Sequence, residues 1–150
     1  MSFDPAKFAE RTYTEANDTK RTPIPAGEYI ALIEATKIST WTKKDDPTKS
    51  GLRLDVTWSI DDAGVKALLG RDKVTTIQGI MLDLTEDGED LDMGKGRNVD
   101  LGKLREATGL NNPGQAFAFS QFPGRLAKIM ISHRVDGDTI RADVKSVTKV

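Results

Sequence analysis

From Leu52 to Ile60 apolar and polar residues alternate without a break, with Leu52, Leu54, Val56, Trp58 and Ile60 on one phase and Arg53, Asp55, Thr57 and Ser59 on the other. A period of two is that of a strand with one buried and one wet face. A first strand is expected from Glu28 to Ser39, where β-branched and apolar residues follow the helix-breaking run Pro23-Ile24-Pro25-Ala26-Gly27. A third is expected from Lys73 to Leu84, with Gly79 marking either a bulge or a close approach. Two more, Arg125 to Arg134 and Thr139 to Val147, flank Asp136-Gly137, which suits a hairpin turn.

Helical signals are fewer. Asn98 can cap a helix that runs to Thr108 and stops at Gly109, with Leu101, Leu104 and Ala107 on one face. Residues 1–22 form an N-terminal arm, in which Asp4-Pro5 opens one or two helical turns near Phe3 and Phe8. Asp61-Asp62-Ala63-Gly64 begins a linker. Three strands, a helix and a two-strand hairpin follow the order of an OB barrel, whose helix bridges strands three and four. The expected fold is therefore mainly β: a five-stranded OB-type barrel over residues 23–150, with one helix between strands 3 and 4. A β-sandwich or an open α+β sheet is the alternative that the same alternation permits.

Between the first two strands, Thr40 to Gly51 reads as a long loop holding Trp41, Lys43, Lys44 and Lys49. A flat aromatic can stack a base while ammonium groups follow the phosphates, a combination that requires no base sequence. Arg53 follows on the wet face of the second strand, and Lys128 and Arg134 share the wet face of the fourth. Tyr13 in the arm is a second stacking candidate. The competing reading makes Trp41 a lid over the barrel end and its lysines a solvated loop. Trp58, on the apolar phase, belongs to the core, as do Phe117, Phe119 and Phe122, with Phe122, beside Pro123, expected to be the least enclosed of the three.

Composition narrows the chemistry. A chain of 150 residues buries roughly 70% of its unfolded surface and needs no staple. The absence of cysteine rules out disulfides and thiolate metal sites and suits a reducing compartment. No basic-then-apolar leader and no apolar run of membrane-spanning length occurs, so neither secretion nor membrane association is expected. His133 is the only histidine and falls on the phase of Ala127, Ile129 and Ile131, as a packed or rim residue. With no nucleophile motif, P-loop or H-E-x-x-H, the expectation is no enzyme, no cofactor and no metal.

The net charge of −1 conceals an uneven distribution. Asp83, Glu86, Asp87, Glu89, Asp90 and Asp92 occupy one segment without a base, and the remainder, with 22 bases against 17 acids, is mildly positive. The acidic segment lacks the ligand series of an EF-hand and reads as a solvated loop, with a Mg²⁺ or Ca²⁺ site and a docking surface for a basic partner as the alternatives.

Several landmarks resemble a family of small phage proteins taken to be OB-type single-stranded DNA-binding proteins. Pro25-Ala26-Gly27-Glu28-Tyr29 is similar to that family's lead into the first strand, and Lys49-Ser50-Gly51 to its lead into the second. Gly124-Arg125, His133-Arg134 and Val144-Lys145 resemble its closing hairpin. The resemblance implies sequence-independent binding of single-stranded DNA in phage replication or recombination, in the cytoplasm of an infected bacterium. Replication or recombination proteins would be its partners, and the oligomeric state is left open. The ending Ser-Val-Thr-Lys-Val differs from the acidic tail of the best-known bacterial single-strand binders. A phage structural or adaptor protein is the alternative role.

Overall fold

The computed structural model describes residues 2–150. The alternating segment is a strand, β2 (Ser50–Ile60), that buries Leu54, Val56, Trp58 and Ile60. It pairs antiparallel with β1 (Gly27–Thr42) on one side and β3 (Val74–Met81) on the other. β1 is long enough to serve two partners. Its later part pairs with β2, and its first residues, Gly27 to Leu32, pair with β4 (Leu126–Asp136), which carries β5 (Thr139–Thr148) at the far edge. The result is one antiparallel sheet in the order β3-β2-β1-β4-β5.

The expected closed barrel is not formed. The edge strands β3 and β5 approach one another but share no ladder. A helix, α3 (Val99–Ala107), touches both, and it buries Leu101, Leu104 and Ala107. The seam is thus covered by side chains of a helix instead of backbone hydrogen bonds. The core extends from Ile24 through the inner faces of the strands to α3 and Phe122.

The expectation of a single helix in the domain also fails. A helix (Ala63–Leu69) fills the supposed linker between β2 and β3; with a helix in the arm (Pro5–Glu10, α1), it is α2 in chain order. Asp62 accepts a hydrogen bond from the Val65 amide at 2.9 Å, and Gly70 ends the helix with φ 64°. Both are standard start and stop signals, obscured here by the short length of the element. A 3₁₀ turn at Phe119–Gln121 precedes β4.

Phe122 belongs to the core as expected, but it is the most enclosed of the three phenylalanines and not the least, and the cap at Asn98 differs too. Phe122 is fully buried, with Phe117 and Phe119 packed edge-on or tilted against it at centroid distances of 5.2 and 6.3 Å. The turn at Phe119–Gln121 points Phe122 inward, while Phe117 and Phe119 stay partly exposed, and the Arg105 guanidinium lies 4.2 Å over the Phe117 ring. Asn98 stands at the N-cap position of α3 but does not cap it with its side chain. Instead Oδ1 accepts from the Asp83 amide at 2.8 Å, and Nδ2 donates to the carbonyls of Asp83 and Asp92 at 2.9 and 3.0 Å. Its backbone, at φ 51°, is left-handed, a conformation in which asparagine is among the least penalised side chains.

That anchoring organises the acidic segment. Leu84 bridges Leu91, and the Thr85 amide donates to the Asp90 carbonyl at 2.8 Å, so residues 83–92 form a small hairpin rather than an open loop. Arg97 lies 3.4 Å from Asp92 and 3.8 Å from Asp83 at its base. Glu86, Asp87, Glu89 and Asp90 remain exposed at its tip.

Candidate nucleic-acid interface

A β-bulge decides which side chains β1 presents. Ala31 and Ile33 point into the core, so strict alternation would send every later odd-numbered residue inward, Trp41 included. The register with β2 slips between Ile33 and Ala35. Beyond that slip Lys37, Ser39 and Trp41 stand opposite Asp55, Arg53 and Gly51, all on the outer face, away from Leu54, Val56 and Trp58.

The expected long loop is correspondingly shorter. β1 runs through Thr42 and β2 starts at Ser50, leaving a turn of residues 43–49 closed by the Lys43 amide donating to the Lys49 carbonyl at 2.9 Å. Trp41 and Gly51 are therefore a cross-strand pair in a sheet. The indole lies over Gly51, where a Cβ would meet Nε1 at 2.9 Å. Neither the barrel-end lid nor a free loop describes this position; the ring lies against the sheet's outer face and is partly exposed. Its Nε1 is buried without a hydrogen-bond partner.

A second pair of the same kind lies beside it. Gly79 in β3 shows no bulge and instead admits Arg53, whose Cδ would stand 3.1 Å from a Cβ at position 79. Arg53 Nε donates to Asp55 Oδ1 at 2.7 Å, and Ser39 Oγ donates to Asp55 Oδ2 at 2.7 Å. Burial by itself would raise the Asp55 pKa, but the hydrogen bonds from Ser39 and Arg53 and the charges of Arg53 and Lys37 outweigh it and hold the carboxyl below its ordinary range. Ile77 and Met81 of β3 complete this face, 66% and 52% exposed. Bare apolar surface thus adjoins an aromatic ring and a hydrogen-bonded charge cluster.

Of the residues expected to bind, Trp41, Lys43, Lys44, Lys49 and Arg53 come together around the outer end of the β1–β2 pair. Lys43 lies 3.9 Å from Asp45, whereas Lys44 and Lys49 form no ion pair among the described residues. Lys128 and Arg134 do not join them. Lys128 pairs with Ile30, and from Ile30 to Trp41 β1 covers roughly 35 Å at about 3.3 Å per residue. Arg134 lies beyond the start of β1 and is engaged by Asp143 at 2.8 Å. Tyr13 is in the irregular part of the arm, 70% exposed. His133 is a rim residue whose Nε2 donates to the Ile24 carbonyl at 2.7 Å, tying the end of the arm to β4.

The sequence reading overlooked Lys37, Asp55, Ile77 and Met81. The register puts Thr36 and Ile38 on the side of Ile33, three and then two residues on, and turns Lys37 outward; with Thr36 polar, Ile38 40% exposed and apolar Ile30 and Leu32 facing out, the sequence pattern does not mark the bulge. Compared with protein-family models and with curated proteins, the chain matches none.

Proposed function

We propose that this protein binds single-stranded DNA without regard to sequence and without catalysis. The observation that carries the reading is the Trp41–Gly51 pair beside Arg53 and the lysine-bearing turn 43–49. A ring held flat on a sheet loses little freedom when a base stacks on it, and cations at its rim can follow the phosphates. The strand order β3-β2-β1-β4-β5 with α3 between β3 and β4 supports an OB-type arrangement whose β3–β5 seam is left open. In such an arrangement the outer face of β2 and β3 and the first turn border the nucleic-acid groove.

The resemblance of the strand lead-ins and the closing hairpin to the phage single-strand binders supports a place in phage replication or recombination within an infected bacterium. Binding centres on Trp41, Lys43, Lys44, Lys49 and Arg53, with Lys37 added. The competing adaptor role would use the exposed acidic tip at Glu86 to Asp90.

Anisotropy of a labelled oligo(dT), titrated at several salt concentrations, separates the two. The single-strand reading predicts binding whose logarithm falls with log salt at a slope of roughly −0.7 for each phosphate neutralised. Absence of binding at low salt would reject it.

A further inference from the structure

Asp55 is the one carboxylate at the centre of the outer face of β1–β3, and it is fixed in place. It stands opposite Lys37 on β1 and Gly79 on β3, and takes one hydrogen bond on each oxygen, from Ser39 and from Arg53. An ionised carboxylate oxygen can accept more than one hydrogen bond, so each retains capacity for a further donor. Its side chain is 19% exposed, enough to be reached from above the sheet but not to swing away.

Phosphates and bases meet this arrangement differently. At the sheet centre Asp55 sits between Lys37 and Arg53, so its negative charge offsets one of two positive charges that a phosphate would otherwise meet there, while the ammonium groups of Lys44 and Lys49 lie at the turn. Successive bases can lie on Trp41 and farther along on Met81 and Ile77, and one between Met81 and Ile77 can offer its imino or amino hydrogens to Asp55. Only an unpaired base has those hydrogens available; a duplex presents its phosphates outward and hides most base-pairing edges. Discrimination of this kind arises from a charge set against the wrong ligand as much as from contacts with the right one.

We propose that Asp55 makes this face select single-stranded over duplex DNA, by weakening the attraction of the sheet centre for phosphates while offering acceptor oxygens to unpaired bases. The inference rests on the single-strand reading of the same face.

The test compares affinities for oligo(dT) and for a duplex of equal length in the intact protein, in Asp55→Asn and in Asp55→Glu. Asn keeps the shape, removes the charge and leaves one acceptor oxygen, and is expected to raise duplex affinity about tenfold; for oligo(dT) the lost base contact offsets the gain in phosphate attraction, so the single-strand-to-duplex ratio falls. Glu keeps the charge and is expected to retain the selectivity. An unchanged single-strand-to-duplex ratio in Asp55→Asn, with unaltered melting, overturns the role of Asp55 and leaves single-strand binding standing. Equal loss of selectivity in both variants overturns it too, since altered geometry rather than charge would then be responsible. If the intact protein binds neither DNA, both readings fall together.

Discussion

Trp41 and Gly51 face each other across the β1–β2 pair, and the indole fills the space in which a side chain at position 51 would begin, 2.9 Å from Nε1 and 3.0 Å from Cε2 and Cζ2. Gly51 does not adopt a left-handed backbone, so alanine is disfavoured there by the ring alone. A small tilt of the partly exposed ring relieves the overlap at the expense of its flat seat on the sheet, so Gly51→Ala should lower stability by only about 1 kcal/mol. It should shift tryptophan emission to the red and weaken oligo(dT) binding. A variant that melts like the parent, with unchanged emission, would show that the ring does not occupy that space.

Asn98 combines a left-handed backbone with side-chain hydrogen bonds to both strands of the acidic hairpin. Its amide also donates to Asp83 Oδ2 at 2.7 Å. Alanine forfeits the side-chain bonds and retains the backbone penalty, whereas glycine forfeits the bonds alone. Asn98→Ala should cost about 2–4 kcal/mol, and Asn98→Gly about 1 kcal/mol less than that. Chemical denaturation measures both; glycine more damaging than alanine would be inconsistent with the left-handed turn.

Phe122 and Phe119 are three residues apart and differ in burial. Phe122→Ala empties a fully enclosed site and should cost about 3–5 kcal/mol. Phe119→Ala removes a partly exposed ring and should cost less than half as much. Equal losses would contradict the enclosure of Phe122.

Two groups link stability to pH in opposite directions. Asp55 has its pKa depressed on folding, so its contribution is complete above the ordinary carboxylate pKa and is lost as pH falls through the lower folded value. Tyr29, whose hydroxyl donates to the Pro25 carbonyl at 2.7 Å, has its pKa raised by burial and then by the Asp62 charge. Its contribution is complete below the ordinary tyrosine pKa and is lost as pH rises through the higher folded value. Tyr29→Phe should lower stability at neutral pH by about 1 kcal/mol and flatten the alkaline limb of the melting-temperature profile. Asp55→Asn should flatten the acid limb. An alkaline limb unchanged in Tyr29→Phe would remove Tyr29 from this account.

The strands were legible because each buries one face: the alternation from Leu52 to Ile60 is a direct image of β2, and the Asp136-Gly137 turn locates β4 and β5. Closure was not legible. Whether β3 and β5 pair depends on how far the sheet curls and on what fills the seam, and α3 fills it. For the same reason the distance of Lys128 and Arg134 from Trp41 was not legible. Residues on the wet phases of different strands are neighbours only if register and curvature bring them together, and β4 meets the opposite end of β1. The outward placement of Trp41 depends on one bulge between Ile33 and Ala35, which the alternation of β1 does not reveal because apolar Ile30 and Leu32 face outward and polar Thr36 inward.

The central claim, that a single strand stacks on Trp41, is tested most directly by tryptophan fluorescence. Trp58 is fully enclosed, with Nε1 donating to Gln78 at 3.0 Å, so quenching by a bound strand should come from Trp41. Oligo(dT) should quench the intact protein in a salt-sensitive manner, a duplex of equal length should quench it less, and Trp41→Ala should weaken binding by about 1–3 kcal/mol. Undiminished affinity in Trp41→Ala, or equal quenching by duplex and single strand, would contradict the account.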